Sequence, residues 1–194
     1  MTALTLASRS ASRRTMLEAA GVPFTSMAAN IDERGLEATM ADAPAPDVAI
    51  ALAKAKASAV RSPDGIVLGS DSLVSVEGRR FDKPDDREQA AEHLRFFSGK
   101  VMELHSAAAL QKDGTIVWSY GDVAKLHVRE LGETFIARYL DAEWPEVGQC
   151  VGVFRMEGRG VQLFERIEGD YFTVLGMPLV PVLSALRRHD VIPA

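Results

Sequence analysis

The stretch Ile66-Val67-Leu68-Gly69-Ser70-Asp71-Ser72-Leu73-Val74 predicts a buried strand with a carboxylate in its middle. Burying an unpaired carboxylate in an apolar strand is costly, so Asp71 requires a metal, a cation or an exposed strand end. Metal binding or general-base work would explain it, because the glycine and serine neighbours leave room beside the carboxylate. A structural ion pair, or a strand that ends at Gly69, is the alternative explanation.

Strand-like and helical patterns alternate on both sides of this stretch. The polar segment 30–45 is predicted to start as a loop, Asp86 can cap a helix, and Lys112-Asp113-Gly114 separates two strands as a hairpin turn would. This mixture of parallel-capable and hairpin strands predicts an α/β or α+β fold with a mixed sheet. The predicted strands are 4–7, 24–27, 66–74, 101–110, 115–130, 148–154 and 161–164, and the predicted helices are 12–20, 47–60, 86–97, 134–140 and 178–188.

Composition excludes several classes of protein. The chain has 194 residues, 47% of them apolar, so intrinsic disorder is excluded as the dominant state. A single cysteine, Cys150, excludes an internal disulfide framework. The net charge of −5 counts against a nucleic-acid partner, although a few placed cations can still hold a small polyanion. Without a long apolar run or a secretory signal, we expect a cytoplasmic protein with no membrane partner.

The segment Ser8-Arg9-Ser10-Ala11-Ser12-Arg13-Arg14 lies between a predicted strand and a predicted helix. Free N–H groups at the start of a helix bind anions, and serine hydroxyls and arginine forks add donors for phosphate oxygens. The commoner explanation of such a segment is that Ser10 or Ser12 caps the helix and the arginines are solvated.

Four other groups are candidates with weaker local signals. Lys54 and Lys56 lie two residues apart, so on one helix at most one of them faces a site. Lys83 lies in a Lys-Pro turn, where a solvated side chain is common, and Glu33 follows another acid in a polar segment. Glu157 has the chemistry to accept hydrogen bonds from a nucleobase, or it is a surface acid. P-loop, dinucleotide, zinc and serine-hydrolase motifs are absent.

Taken together and in order, these segments resemble the Maf family of nucleoside triphosphate pyrophosphatases, from Leu4 to Arg188. Ala11 departs from the family by replacing a usual proline, and Val151 by replacing the more common alanine. The stretches that carry the resemblance are Leu6-Ala7-Ser8-Arg9-Ser10-Ala11-Ser12-Arg13-Arg14, Asp32-Glu33, Leu52-Ala53-Lys54-Ala55-Lys56-Ala57, Gly69-Ser70-Asp71-Ser72, Lys83-Pro84, Leu94-Arg95-Phe96-Phe97-Ser98-Gly99, Glu157-Gly158-Arg159-Gly160, Ile167-Glu168-Gly169-Asp170-Tyr171 and Val174-Leu175-Gly176-Met177-Pro178-Leu179.

The resemblance implies one two-lobed α/β domain over 1–194, with an extended mixed sheet, flanking helices and a central cleft, related to the inosine triphosphate pyrophosphatases. It implies house-cleaning hydrolysis of a nucleoside triphosphate to a monophosphate and pyrophosphate, a divalent metal (Mg²⁺, Mn²⁺ or Co²⁺) and a possible homodimer. The matched roles are Asp71 as catalytic base and metal ligand, Glu33 as metal or water partner, and Ser8, Arg13, Arg14, Lys56 and Lys83 as phosphate-binding residues.

Three positions, Ser12, Ser72 and Glu157, match those that discriminate between substrates in this family. The branch that prefers dTTP and UTP typically has Arg, Thr and Gln there. Glu157 resembles the branch that acts on 7-methyl-GTP, since a carboxylate suits the donors of a guanine edge. Ser12 replaces the tryptophan expected in that branch, which removes a stacking partner. A dTTP- and UTP-preferring enzyme and a non-enzymatic, nucleotide-sensing regulator of cell division remain as alternatives.

Overall fold

A computed structural model of the chain describes residues 2–63 and 65–193. The helices are α1 (Ala11–Ala19), α2 (Glu33–Thr39), α3 (Ala45–Ala59), α4 (Arg87–Phe97), α5 (Glu133–Glu143), α6 (Tyr171–Val174) and α7 (Leu179–Arg188). The strands are β1 (Leu4–Ala7), β2 (Thr25–Met27), β3 (Ile66–Val76), β4 (Arg79–Phe81), β5 (Val101–Lys112), β6 (Thr115–Val128) and β7 (Phe164–Glu168). Short 3₁₀ segments lie at Glu146–Gln149 and Arg159–Leu163.

The strands form a seven-stranded sheet in the order β2-β1-β3-β5-β6-β7, with β4 paired to β3. Strand β1 runs parallel to both β2 and β3, and its Leu4 and Ala7 lie opposite Ile66 and Gly69. The pairs β3–β4 and β6–β7 are antiparallel. The sheet is therefore mixed, and the prediction of an α/β fold with a mixed sheet and flanking helices is confirmed.

Two tight turns connect neighbouring strands. Asp113 and Gly114, with φ of 50° and 78°, join β5 to β6, and Glu77 and Gly78, with φ of 52° and 76°, join β3 to β4. Positive φ at both central residues is the signature of a type I′ turn, which matches the twist of antiparallel strands. The first hairpin was predicted from its Asp-Gly pair, whereas glutamate rarely adopts this conformation and the second was missed.

Three stretches differ from the sequence predictions. The segment 30–45 starts as a loop, as predicted, but helix α2 within it was missed; Asp32 caps the start of this helix by accepting a hydrogen bond from the Gly35 amide at 2.9 Å. The predicted strand 148–154 is a turn, because Gly152 and Val153 both have positive φ, 83° and 58°. The segment 161–164 lies mostly in a 3₁₀ turn, and the neighbouring strand begins only at Phe164.

The chain divides into two compact units, and each draws on separate stretches of sequence. The first comprises Met1–Ser72, His105–Asp122 and Asp170–Ala194, and the second Leu73–Leu104 and Val123–Gly169. The core of the first unit is formed by buried side chains of β1, α1, β3 and α7, among them Leu6, Leu17, Leu68 and Leu186. In the second unit, Phe81 and Phe97 meet edge to face at 4.8 Å, and α4 packs on α5.

Among the described residues, no helix combines the length and the apolar character needed to span a lipid bilayer.

Candidate active site

Strand β3 and helix α3 approach each other closely in the first unit. A Cβ atom on Gly69 would lie 2.2 Å from the Ala53 carbonyl oxygen and 2.4 Å from the Ala57 amide nitrogen, so only glycine fits there. This contact brings the Lys56 ammonium from α3 onto the Asp71 carboxylate of β3, and Nζ donates a hydrogen bond to Oδ1. Both side chains are buried.

Glu33, the first residue of α2, completes a cluster of three charges. Its Oε2 lies 3.1 Å from the Lys56 Nζ, so one ammonium lies between two carboxylates. A buried charge is tolerated when it is paired and hydrogen-bonded, which accounts for Asp71 inside an apolar strand. The ion pair that was the alternative explanation for Asp71 is thus present, and it involves Lys56 rather than Lys54.

Arg13 projects from α1 into a second set of polar contacts. Its Nε donates to the Gly176 carbonyl at 2.9 Å, and its Nη2 donates to the Ser72 hydroxyl at 2.8 Å. The Nη1 group makes a longer contact of 3.4 Å with the Ser8 hydroxyl. The guanidinium is therefore held in one orientation by three different parts of the chain.

Electrostatics connect these two sets of contacts. Burial lowers the pKa of Arg13 below that of a free arginine, while the Asp71 and Glu33 carboxylates act in the opposite direction. An arginine remains protonated in proteins even when its pKa falls, so Arg13 keeps its positive charge. Two cations and two carboxylates thus influence each other within the first unit.

The segment before α1 contains the helix cap that was the commoner explanation for it. Ser10 is the N-cap, since its hydroxyl accepts from the Arg13 amide at 3.4 Å, and the Ser8 hydroxyl accepts from the Ser10 amide at 3.1 Å. Ser12 is not a cap, because its hydroxyl donates to the Leu175 carbonyl at 3.0 Å. The capping explanation is therefore confirmed, with Ser10 as the cap. The solvated arginines that went with it are found only at Arg14, because Arg13 is buried.

In the second unit, Lys83 and Glu157 are both exposed and lie outside the helices and strands. Both are close enough to Cys150 to affect its thiol. Burial raises the pKa of Cys150, the Arg155 and Lys83 cations lower it, and the Glu157 carboxylate raises it. Lys83, Arg155 and Glu157 are therefore charges of one neighbourhood around Cys150.

The predicted site residues thus fall into three groups by position. Two belong to the second unit, Lys83 and Glu157. One lies exposed on α1, Arg14. The others are connected in the first unit by the contacts given above, Ser8, Ser12, Arg13, Glu33, Lys56, Asp71 and Ser72.

Glu143 is a buried charge of the second unit that no sequence motif indicated. Its Oε2 lies 3.2 Å from the Arg155 Nη2, and a Cβ on Gly158 would lie 3.1 Å from the same carboxylate oxygen. Glu143 therefore supports the turn that carries Glu157. The available signal was its position, nearly one turn after Leu140 on the buried face of α5.

No group of three or more His, Cys, Asp or Glu side chains suited to a metal ion occurs in the described ranges 2–63 and 65–193. Asp71 and Glu33 supply two carboxylates around one ammonium. Mg²⁺ is often held by one or two carboxylates together with substrate phosphates and water, rather than by an all-protein cage. This donor set fits a hard cation that binds together with a phosphorylated ligand.

A family model described as Maf-like protein matches residues 3–189. The chain belongs to the Maf family. This Maf chain is 48% identical over 189 residues to a 7-methyl-GTP pyrophosphatase of Rhizobium etli, with 95% of each chain covered. It is 42% identical over 191 residues to a nucleoside triphosphate pyrophosphatase of Nitrobacter hamburgensis, covering 97% of this Maf chain and 95% of the relative.

Among solved structures, the Maf chain is similar to a dITP/XTP pyrophosphatase of Mycobacterium abscessus, with 16% identity and a TM-score of 0.42. That match covers 99% of the Maf chain and 98% of the other. The family resemblance predicted from the sequence motifs is confirmed by the family match.

Proposed function

We propose that this protein is a nucleoside triphosphate pyrophosphatase, which hydrolyses its substrate to a nucleoside monophosphate and pyrophosphate. The observation that carries the proposal is the buried Lys56–Asp71 pair, with Glu33 and Arg13 beside it, in a chain of the Maf family. The relatives named above support it, because both are named as pyrophosphatases and both are covered almost completely.

Phosphate binding is the first task of such an enzyme, because a triphosphate carries several negative charges. Arg13 offers a planar fork that matches phosphate oxygens, and Lys56 offers a compact point charge. Ser8 adds a hydroxyl donor, and Lys83 and Arg14 are exposed cations that bind phosphate more weakly. In the complex that we propose, Lys56 leaves its carboxylates for a phosphate oxygen. These local cations offset the net charge of −5.

Asp71 is the proposed general base. Its carboxylate accepts a proton from a water molecule, and the oxygen of that water forms a new bond to the α-phosphorus. The bond to the oxygen that bridges the α- and β-phosphates breaks, and pyrophosphate leaves with the electron pair. A positioned general base contributes roughly 10²–10⁴-fold to the rate of such a step. The proposal needs no covalent intermediate.

Asp71 and Glu33 would hold the divalent metal that the family resemblance implies, Mg²⁺, Mn²⁺ or Co²⁺. Such a cation, when bound, supplies compensation for the charge that develops on the phosphates. The two carboxylates suit it because hard cations prefer oxygen ligands. Glu33 is half exposed, so it can turn toward an ion without leaving a buried position empty.

We propose that the preferred nucleotide substrate is 7-methyl-GTP. The Glu157 carboxylate suits the N1–H and 2-amino donors of guanine. Methylation at N7 gives the base a positive charge, which a carboxylate also favours. The dTTP- and UTP-preferring alternative has one observation in its favour. Ser12 is small and bonded to the Leu175 carbonyl, so it offers no ring for stacking on a methylated base.

Pyrophosphate release from 7-methyl-GTP, GTP, dTTP and UTP, with each of the three metals, tests the proposal. The products separate the possibilities, because monophosphate and pyrophosphate indicate cleavage between the α- and β-phosphates, whereas diphosphate and phosphate indicate terminal hydrolysis. A ranking of dTTP and UTP above 7-methyl-GTP would contradict the preference assigned to Glu157. Binding without turnover under all conditions would favour a nucleotide sensor instead of an enzyme.

Asp71→Asn provides the decisive variant, with an expected loss of about 10²–10⁴-fold in turnover. Asp113→Asn is its matched control, because it makes the same chemical change in the exposed turn between β5 and β6. Asparagine tolerates the positive φ of 50° at that position. Full activity of Asp71→Asn would remove Asp71 from the mechanism, even if the pyrophosphatase activity itself is real.

We also propose a cytoplasmic location, where nucleoside triphosphates are present, and a homodimer. The location is tested by fractionation of cells that produce the tagged protein. The assembly is tested by light scattering of the purified protein. Membrane-bound protein or a concentration-independent monomer would contradict the respective proposal.

A further inference from the structure

Two consecutive carbonyl groups accept hydrogen bonds from three predicted site residues. The Leu175 carbonyl accepts from the Ser12 hydroxyl at 3.0 Å. The Gly176 carbonyl accepts from the Arg13 Nε and from the Ser72 hydroxyl, each at 2.9 Å. The segment that carries them follows α6 and was assigned no role of its own from the sequence. This segment nevertheless accepts hydrogen bonds from side chains of both α1 and β3.

The turn that presents these carbonyls is fixed through Thr173, which is fully buried. The Thr173 hydroxyl donates to the Asp122 carboxylate at 2.7 Å, and the Thr173 carbonyl accepts from the Ser106 hydroxyl at 2.8 Å. The same carbonyl accepts from the Gly176 amide at 3.1 Å, which closes the turn. Asp170 caps α6 by accepting from the Thr173 amide at 3.1 Å. Thr173 is thus held at its side chain, its amide and its carbonyl.

The conformation of this turn requires a glycine at position 176. Its φ of 101° is a conformation that side chains rarely adopt, and a Cβ atom there would lie 2.9 Å from the Ser72 hydroxyl oxygen. The carbonyl can therefore approach Arg13 and Ser72 only because the residue is glycine. A shift of the turn would move the acceptor away from both side chains together.

We propose that Thr173 is a positioning residue for the nucleotide site, acting through the Leu175 and Gly176 carbonyls on Ser12, Arg13 and Ser72. The inference rests on the proposed function, because the roles of these three residues are those of a nucleotide site. Long side chains such as arginine lose conformational freedom when they bind a ligand, and fixing them beforehand lowers that cost. Thr173 therefore affects phosphate binding through Arg13 and discrimination between bases through Ser12 and Ser72.

Thr173→Val tests the inference, because valine keeps the shape of threonine and removes the hydroxyl that donates to Asp122. Losing one such hydrogen bond corresponds to roughly a three- to tenfold change in an equilibrium constant. We expect KM for the triphosphate to rise by about that factor and the 7-methyl-GTP to dTTP ratio of kcat/KM to shift, with kcat less affected. Thr173→Ser keeps the hydroxyl and should restore both values.

Ser106 lies on β5 and contacts the same turn. The variant Ser106→Ala therefore keeps the inference testable if Thr173→Val fails to fold. It removes the donor to the Thr173 carbonyl and should move KM and the substrate ratio in the same direction. Ser184→Ala is the matched control, because its hydroxyl also donates to a backbone carbonyl, that of Val180 at 3.2 Å, but on the exposed surface of α7. We expect Ser184→Ala to leave both parameters unchanged.

Two results would overturn the positioning role while leaving the proposed function intact. One is a folded Thr173→Val enzyme with the KM and substrate ratio of the wild type. The other is a uniform fall in kcat for every substrate with unchanged KM, which indicates a smaller fraction of folded enzyme. If the wild type releases no pyrophosphate at all, the proposed function fails. The dissociation constant of a non-hydrolysable GTP analogue then tests Thr173 by itself, and equal values in wild type and Thr173→Val overturn the inference.

Discussion

The central ion pair of the first unit, Lys56 with Asp71, is buried, whereas the candidate charges of the second unit, Lys83 and Glu157, are exposed. The side chains of Lys56 and Asp71 are 11% and 9% exposed, but that of Arg155 is 42% exposed. Interactions between buried charges are screened little by water and salt, while exposed pairs contribute little. Without a ligand, Lys56 and Asp71 therefore hold each other in place, whereas the Lys83 and Glu157 side chains are surrounded by solvent. Substitutions should have larger and less salt-dependent effects in the first unit.

The largest effect is expected for Lys56→Met, which leaves Asp71 buried without its cation. Breaking a buried pair in this way costs about 3–5 kcal/mol of folding free energy, and a phosphate-binding cation is lost as well. Denaturant unfolding and pyrophosphate release measure the two losses. Lys54→Met is the matched control on the same helix, and it should retain stability and activity. Equal stability and equal activity of the two variants would contradict the role assigned to the buried Lys56–Asp71 pair.

An intermediate effect is expected for Glu143→Gln, which weakens the contact that supports the Glu157 turn. Because Arg155 is largely exposed, we expect less than about a tenfold change, confined to the ratio of kcat/KM between 7-methyl-GTP and the other nucleotides. Glu133→Gln is the control on the same helix, since it also loses an arginine partner, Arg95, at an exposed site. A loss of turnover on all substrates by Glu143→Gln alone would assign it to the catalytic machinery instead.

The smallest effect concerns the Cys150 thiol, which reports the charges around it. Burial raises its pKa, so its alkylation by iodoacetamide should reach half of its maximal rate at a higher pH than that of a free cysteine. Lys83→Met removes a cation that lowers this pKa and should move the midpoint further up. Glu157→Gln removes a carboxylate that raises it and should move the midpoint down. Midpoints that do not respond to either change would place these charges outside the neighbourhood of Cys150.

Local sequence patterns predicted the helices, strands and turns that are determined by neighbouring residues. The apolar runs of β1 and β3, the Asp86 cap of α4 and the Asp-Gly turn of the hairpin are all signals within a few residues. Helix α2 was missed because none of its residues is buried, so no apolar periodicity marks it. The strand predicted at 148–154 failed because the positive φ of Val153 cannot be inferred from residue type.

The site was predictable only where motifs are contiguous. Ser8, Arg13 and Asp71 lie in short recognisable stretches, and the choice of Lys56 over Lys54 depended on the family resemblance. The structure gives that choice a physical basis in the contact of Gly69 with α3. The Gly176 carbonyl could not be predicted as a partner of Arg13. Every residue type carries the same main-chain carbonyl group, and the two positions are 163 residues apart.

That separation has a consequence for how the protein is made. Arg13 leaves the ribosome 163 residues before the carbonyl that orients it. A nascent chain that ends before Asp170 lacks the last stretch of the first unit, and its buried arginine has no Gly176 to bond. Chains interrupted before this segment should therefore be inactive even when most of the preceding secondary structure has formed, and activity should appear only after the segment has been synthesised.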